Sequence, residues 1–183
     1  MKIKRKQKIL IAAGVCLGLI ILGFLGLKLA PSCPVQEEIK TVRGNSLEPL
    51  VPSGSQITAL VGYYACHEIR RGDLVLYHYS GDKFPLLKIV KAVPQDTFQL
   101  VPKDTGGYHM FINGKVVTNS QDVPYEFSGN KYRMLSLYER DYNQVIPLNA
   151  YLLLGNQSNG SVDASVFGLV DKSSILGKAV VKK

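Results

Sequence analysis

Cysteine and histidine are scarce in this sequence of 183 residues, with three of each. Three cysteines are too few for a disulfide-stapled mini-scaffold and too scattered for a zinc ribbon. The histidines lie in unrelated contexts, so neither a metal site nor a Ser-His-Asp triad is expected, and no cofactor is predicted. A composition of 46% hydrophobic and 20% charged residues also excludes a disordered or low-complexity chain.

The net charge of +8 is concentrated at the N-terminus. Residues 1–30 contain six basic residues and no acidic ones, which leaves 16 basic and 14 acidic side chains in residues 31–183. A nearly neutral body without a basic stripe argues against a dedicated nucleic-acid-binding protein. No nucleic-acid partner is therefore expected.

An uncharged run at residues 9–27 follows five basic residues. As a helix this run spans roughly 28 Å, close to the hydrocarbon thickness of a bilayer. Because positive charge stays cytoplasmic, the sequence predicts a basic cytoplasmic tail at 1–8, a transmembrane anchor at 9–30 and an extracytoplasmic domain at 31–183. The chain is thus expected to be a single-pass protein of the cell membrane, in contact with the lipid bilayer.

Two other interpretations of this segment stay open. A cleaved secretory signal usually has an apolar core of about 7–15 residues, shorter than this run, and residues 28–31 form a poor cleavage site. A lipoprotein signal would use Cys33, but the aliphatic residue expected three positions earlier is missing. On the anchored topology Cys33 and Cys66 lie outside the membrane, where they could be either bridged or free.

The body of the chain is predicted to be a series of short strands. Runs of β-branched and aromatic residues bounded by Gly, Pro and Asn indicate a turn that enters a strand at 71–79 and further strands at 84–93, 97–101, 110–112, 115–118, 151–154 and 175–181. One helix is expected at 131–142 because its apolar side chains fall on one face. The fold class is therefore mostly β: one N-terminal transmembrane helix followed by an all-β domain, with a possible inserted lobe at 103–147.

A loop near the start of this domain contains the first candidate for chemistry. Gly44 permits a backbone conformation that a side chain would block, and Pro49 fixes the exit from the loop. Ser46 is held between them, where its hydroxyl can project. Taken alone, a segment of this kind is usually an ordinary turn.

A lysine in an apolar strand favours a catalytic role for Ser46. Lys88 is flanked by aliphatic residues, and Lys91 follows three positions later. Side chains alternate along a strand, so the two lysines are expected on opposite faces, where one can be solvated and the other buried. Burial lowers the pKa of a lysine from about 10.4, and a neutral amine can take the proton from a serine hydroxyl. Ser46 and Lys88 are therefore candidates for Ser-Lys nucleophilic catalysis.

Four segments follow the apolar run in order. They are Val42-x-Gly44-x-Ser46-Leu47-x-Pro49, Arg71-Gly72-Asp73-Leu74-Val75, the stretch from Lys88 to Asp96, and the stretch from Gly155 to Gly168. In this order they resemble the successive boxes of type I signal peptidases, over roughly residues 40–178. The resemblance implies a membrane-anchored serine endopeptidase that removes signal peptides from exported preproteins.

The resemblance also implies roles for individual residues in catalysis. Ser46 matches the nucleophile and Lys88 the general base. Ser161 matches the hydroxyl that orients the lysine, and Asp163 matches the carboxylate that supports the same loop. The oxyanion would be held by the backbone of Ser46 together with Gly44.

Substrate recognition is implied at two further positions. Val42 and Leu87 match residues that line shallow apolar pockets for small side chains of the substrate. No metal ligand is implied.

The last segment departs from the family pattern. Gly155 is followed by Asn-Gln-Ser where the family usually has Asp-Asn-Arg, and Ser165 replaces an arginine. Asp163 therefore lacks its usual partner, and Arg71 is the candidate replacement. These departures favour the alternative of a catalytically idle, membrane-tethered β-domain that binds a protein partner. A soluble, self-cleaving repressor-type protease would need a DNA-binding domain, for which the sequence has no room beside the anchor.

Overall fold

The computed structural model describes residues 33–80, 84–159 and 161–182. The predicted tail at 1–8 and anchor at 9–30 lie outside the described residues and stay predictions. Within the described ranges, no helix is long and apolar enough to cross a membrane. The chain divides into two units, Met1–Cys33 and Pro34–Lys183.

The described chain contains eleven strands, two α-helices and two short 3₁₀ turns. In chain order the strands are β1 (Gln36–Thr41), β2 (Gln56–Val61), β3 (Leu74–Tyr77), β4 (Leu86–Ala92), β5 (Phe98–Pro102), β6 (Tyr108–Ile112), β7 (Lys115–Val116), β8 (Glu126–Phe127), β9 (Ala150–Leu154), β10 (Val170–Asp171) and β11 (Ile175–Val181). The helices are α1 (Gly129–Asp141) and α2 (Ala164–Phe167), and the 3₁₀ turns are Tyr63–Ala65 and Lys172–Ser174.

These strands form two antiparallel sheets. The larger sheet has the order β1-β2-β11-β3-β4-β9-β10. The smaller sheet contains β5, β6 and β7, with β8 also paired to β6. Strand β4 lies inside the larger sheet between β3 and β9, so the residues around Lys88 are shielded on both edges.

Apolar clusters join these elements. One cluster packs the smaller sheet and Leu135 of α1 against Leu152 and Leu154 of the larger sheet. A second cluster contains Leu47 and Val51, which follow Ser46 in the chain and are 2% and 0% exposed. Burial of a side chain of this size contributes about 1.5–3 kcal/mol. The loop that bears Ser46 is therefore anchored in the core.

The prediction of a mostly β domain is confirmed. The predicted helix coincides with α1, and the seven predicted strands coincide with β3 to β7, β9 and β11. Strands β1 and β2 were not predicted, because residues 35–60 interleave short apolar stretches with Gly, Pro and Ser. Strands β6 to β8 and helix α1 all fall within the predicted insert at 103–147, whereas β5 precedes it. Cys33 and Cys66 are both disulfide-bonded, so the alternative of two free thiols is excluded.

Candidate active site

Ser46 lies in the turn between β1 and β2. Gly44 has a φ of 82°, in the left-handed region that favours glycine, as expected for this loop. The N–H of Val51 donates to the carbonyl of Leu47 at 3.0 Å, which closes the turn after Ser46. The buried side chains of Leu47 and Val51 thus fix the loop to the core, and the half-buried Ser46 faces a cleft.

Lys88 lies on β4 and is 2% exposed. Its Nζ is 3.0 Å from Ser46 Oγ and 3.4 Å from Ser161 Oγ. Burial lowers the pKa of the Lys88 ammonium, and the negative charge of Asp163 opposes that decrease. The structure therefore brings these four predicted residues together around one amine.

Lys91 is also sheltered from water. The register between β4 and β9 shifts between Val90 and Ala92, so regular alternation along the strand is interrupted at Lys91. Its Nζ donates to the carbonyl of Thr118 at 2.8 Å and lies 5.2 Å from the centroid of the Tyr125 ring. Burial lowers the pKa of Lys91 as well. Strand alternation alone did not anticipate these surroundings.

Asp163 caps α2 and is 0% exposed. Its Oδ2 accepts from the N–H of Gly155 at 3.2 Å and from the N–H and Oγ of Ser161 at 3.3 and 2.8 Å. Its Oδ1 accepts from the N–H and Oγ of Ser165 at 3.0 and 2.7 Å. Because Ser161 donates its hydroxyl proton to Asp163, an oxygen lone pair of Ser161 is left to face Lys88.

The proposed replacement of the missing arginine by Arg71 is wrong. Arg71 Nε lies 3.3 Å from Asp96 Oδ2, in the turn that follows β4. Asp163 instead receives five neutral donors, two of them from Ser165, the residue that stands in the place of the family's arginine. A buried carboxylate needs such donors because burial removes its hydrating water.

A cleft of about 420 Å³ leads to Ser46 and Lys88. Val42 and Leu87, the two predicted substrate-binding residues, both line it. The rest of the lining comes from β1, from the Ser46 loop, from Ile57 of β2 and Leu76 of β3, and from residues on and just before β4. The cleft thus places apolar surface beside the hydroxyl and the amine.

Gly155 lies so close to the Ser46 loop that a side chain at this position would not fit. A Cβ at this position would lie 2.7 Å from the carbonyl oxygen of Ser46 and would also collide with Ser161 Oγ. The hydroxyl of Tyr125, a fully buried residue, donates to the Gly155 carbonyl at 2.5 Å. The sequence alone indicated no functional role for Gly155, although a glycine at the end of an apolar strand is a signal of close packing.

Asn156 was also missed as a functional candidate. It is 1% exposed, and its N–H donates to the carbonyl of Ser46 at 2.6 Å. Its side chain bonds both the Ser46 loop and the chain near Ser120. The signal in the sequence was an amide side chain close after the apolar run of β9. A polar side chain that is buried at such a position needs hydrogen-bond partners.

Comparison with known proteins gives consistent matches. A family model described as signal peptidase, peptidase S26, matches residues 15–182. The chain is 27% identical over 149 residues to signal peptidase IB of Staphylococcus aureus strain COL, which covers 75% of this chain and 73% of that protein. It is 26% identical over 156 residues to signal peptidase I of Leptolyngbya laminosa, covering 79% and 68% respectively. The crystal structure of a signal peptidase I from Enterococcus faecalis V583 aligns with a TM-score of 0.43 at 19% identity, covering 64% of this chain and 98% of that one.

Proposed function

This chain belongs to the signal peptidase family, peptidase S26, and on that premise we propose that it is a serine endopeptidase that removes N-terminal signal peptides from exported preproteins. Ser46 is the nucleophile and Lys88 is the general base. The observation that carries this assignment is the 3.0 Å separation of Lys88 Nζ and Ser46 Oγ, with Lys88 almost fully buried.

The surroundings of Lys88 support its use as a base. A lysine must be neutral to accept a proton, and removal of water disfavours the ammonium form. Burial lowers the pKa of Lys88, whereas the nearby negative charge of Asp163 raises it and so opposes part of that decrease. Ser161 accepts a hydrogen bond from the amine and so helps to orient the single lone pair of neutral Lys88 towards Ser46.

The reaction then follows from these positions. Ser46 Oγ attacks the scissile carbonyl while its proton passes to Lys88 Nζ, and the ammonium protonates the leaving amine. The resulting acyl-enzyme is hydrolysed by a water molecule that gives its proton to Lys88, and the ammonium then protonates Ser46 Oγ as the new carboxyl group is released. The Ser46 N–H has no acceptor among the described residues, so it is available to the oxyanion, next to the backbone of Gly44.

Substrate selection is assigned to the apolar part of the cleft. Val42 and Leu87 line it beside the dyad, so small apolar side chains of an extended peptide fit there. The expected substrates are exported preproteins with small residues near the cut.

The segment at 9–30 anchors the enzyme in this proposal. The run without charge and the basic residues before it support a single crossing with the catalytic domain outside the cytoplasm. An anchored enzyme shares the plane of the membrane with its substrate, which raises their effective concentration. Protease treatment of intact spheroplasts tests this topology: the domain from Pro34 onward is expected to be digested.

Covalent labelling tests the assigned nucleophile and separates an enzyme from an idle β-domain. A serine-directed penem is expected to acylate Ser46 in the purified full-length protein, as located by mass spectrometry of its peptides. Lys88→Met is expected to abolish labelling because the hydroxyl loses its base. A wild-type protein that stays unlabelled and also fails to cleave a preprotein would overturn the enzymatic assignment.

A further inference from the structure

Asn156 connects the Ser46 loop to a loop of the smaller sheet. Its backbone N–H donates to the Ser46 carbonyl at 2.6 Å, and its Nδ2 donates to the Glu48 carbonyl at 3.1 Å. These two carbonyls flank the buried Leu47. Asn156 therefore holds the nucleophile loop at two points on either side of its apolar anchor.

The other contacts of Asn156 reach the loop at residues 117–125, between β7 and β8. Its Nδ2 donates to Ser120 Oγ at 2.8 Å, and its Oδ1 accepts from the Ser120 N–H at 2.9 Å. Its carbonyl accepts from Asn119 Nδ2 at 3.2 Å. Both amide protons and the amide oxygen of Asn156 are thus used.

The 117–125 loop is itself internally braced. Asn119 Oδ1 accepts from the N–H groups of Gln121 and Val123 at 2.9 and 3.1 Å. The N–H of Asn119 donates to the Val123 carbonyl at 2.9 Å. A loop braced in this way offers Asn156 fixed partners, so the position of Asn156 is set from the smaller sheet.

We propose that Asn156 is a positioning residue through which the 117–125 loop keeps Ser46 in register with Lys88. The inference rests on the function proposed above, and it gives the smaller sheet a part in catalysis without contact to substrate. Neither Asn156 nor the 117–125 loop is among the described residues that line the cleft. Loss of the link therefore changes the placement of the nucleophile and leaves substrate contacts in place.

The amide is required because only an amide supplies both donors and an acceptor at this position. A carboxylate of the same shape accepts but does not donate, so Asn156→Asp leaves the Glu48 carbonyl unpaired and faces it with a negative charge. The hydroxyl of Ser120 can rotate to donate to the new carboxylate. The substitution thus breaks the side-chain link to the Glu48 carbonyl, whereas the backbone bond to the Ser46 carbonyl and the connection to Ser120 are kept.

The test compares Asn156→Asp with Asn113→Asp in the full-length protein. Asn113 Nδ2 donates to Asp96 Oδ1 at 2.8 Å, so the same chemical change breaks a bond of the smaller sheet away from Ser46. Asn156→Asp is expected to lower kcat by on the order of 10²-fold with KM within about threefold, because misplacement of a reacting group costs rate more than binding. Asn113→Asp is expected to lower Tm with kcat little changed.

Hydrogen exchange of residues 44–51 provides a readout that does not depend on activity. Asn156→Asp should speed exchange in this segment, whereas Asn113→Asp should not. Equal exchange in wild type and Asn156→Asp, or equal kcat losses in the two variants, would overturn the proposal. If the wild-type protein cleaves nothing, the proposed function fails, and the exchange result still decides whether Asn156 holds the loop. Ser120→Ala removes one side-chain contact of Asn156 and serves in the same two assays if Asn156→Asp does not fold.

Discussion

Lys88 Nζ lies 3.0 Å from Ser46 Oγ, although the two residues are 42 positions apart in the chain. Lys91, three positions further along β4, is also sheltered but donates to a backbone carbonyl. This difference makes Lys91 a matched control for the function of Lys88. If Lys88 is the base, only the amine that faces the hydroxyl should be needed for catalysis.

The first prediction concerns these two lysines. Ser46→Ala and Lys88→Met should each lower cleavage of a preprotein by about 10³-fold or more, because either change removes the nucleophile or its base. Lys91→Met should cause a much smaller loss. Cleavage is measured by gel shift and by N-terminal sequencing of the product. Comparable losses in Lys88→Met and Lys91→Met would show that a buried lysine is needed for the fold rather than for proton transfer.

The second prediction concerns the pH dependence of kcat. Only neutral Lys88 accepts a proton, so activity should rise with pH through the pKa of this amine, which burial lowers from its ordinary value of about 10.4. The negative charge of Asp163 raises the pKa of Lys88, so Asp163→Asn should move the ascending limb to lower pH while also lowering the maximal rate. An ascending limb that stays in place in this variant argues against electrostatic coupling between the two side chains.

Local patterns in the sequence predicted most of the strands, whereas the pairing of Ser46 with Lys88 was implied by the resemblance to type I signal peptidases. The strands from β3 to β7 have runs of β-branched and aromatic side chains, so the residues of each segment were sufficient to predict a strand there. The edge strand β1 is QEEIKT, which is mostly exposed and has no apolar period to detect. Its partners are residues 56–61, and such pairing between distant segments is not encoded locally.

The surroundings of the dyad were harder to predict for the same reason. The roles of Asn156 and Tyr125 depend on contacts between segments that are far apart, such as the hydrogen bond from Tyr125 to Gly155. The substitution of arginine by Ser165 was visible in the sequence, but its consequence was not. A short hydroxyl that bonds a carboxylate two residues away satisfies Asp163 locally, so no distant cation was required.

The third prediction concerns stability and pH. The pKa of Lys88 is lower in the folded protein than in the unfolded chain, so between the two values the unfolded chain binds the extra proton. The free energy of unfolding should therefore rise with pH across that interval, up to about 10.4. Lys88→Met removes this dependence. The free energy of unfolding of the variant, taken relative to that of wild type, should therefore be higher at neutral pH than at high pH. Urea unfolding at several pH values measures the difference, and parallel curves for the two proteins would contradict it.

The fourth prediction compares two serines that bond an aspartate two residues earlier. Ser165 Oγ and Ser173 Oγ donate to Asp163 and Asp171 at 2.7 and 2.6 Å, but only the first pair is buried. Ser165→Ala removes one donor from a carboxylate without water and should cost about 1.5–3 kcal/mol of the free energy of unfolding. Ser173→Ala should cost far less because water replaces the hydroxyl. Equal costs in chemical denaturation would mean that Asp163 does not depend on the Ser165 hydroxyl.

The fifth prediction concerns Gly155, with Gly177 on β11 as its control. An added Cβ collides at both positions, at Gly155 with Ser161 Oγ and the Ser46 carbonyl and at Gly177 with the backbone of Leu60. Gly155→Ala should displace the nucleophile loop and lower kcat by on the order of 10²-fold or more, because the dyad loses its alignment. Gly177→Ala strains the larger sheet away from the site, so it should lower Tm and leave the activity per folded molecule nearly unchanged. The two effects are separated by measuring the folded fraction of each variant by circular dichroism at a temperature below both transitions. A Gly155→Ala variant with wild-type kcat would require the Ser46 loop to tolerate a shift of its carbonyl, which the hydrogen bond from Asn156 at 2.6 Å opposes.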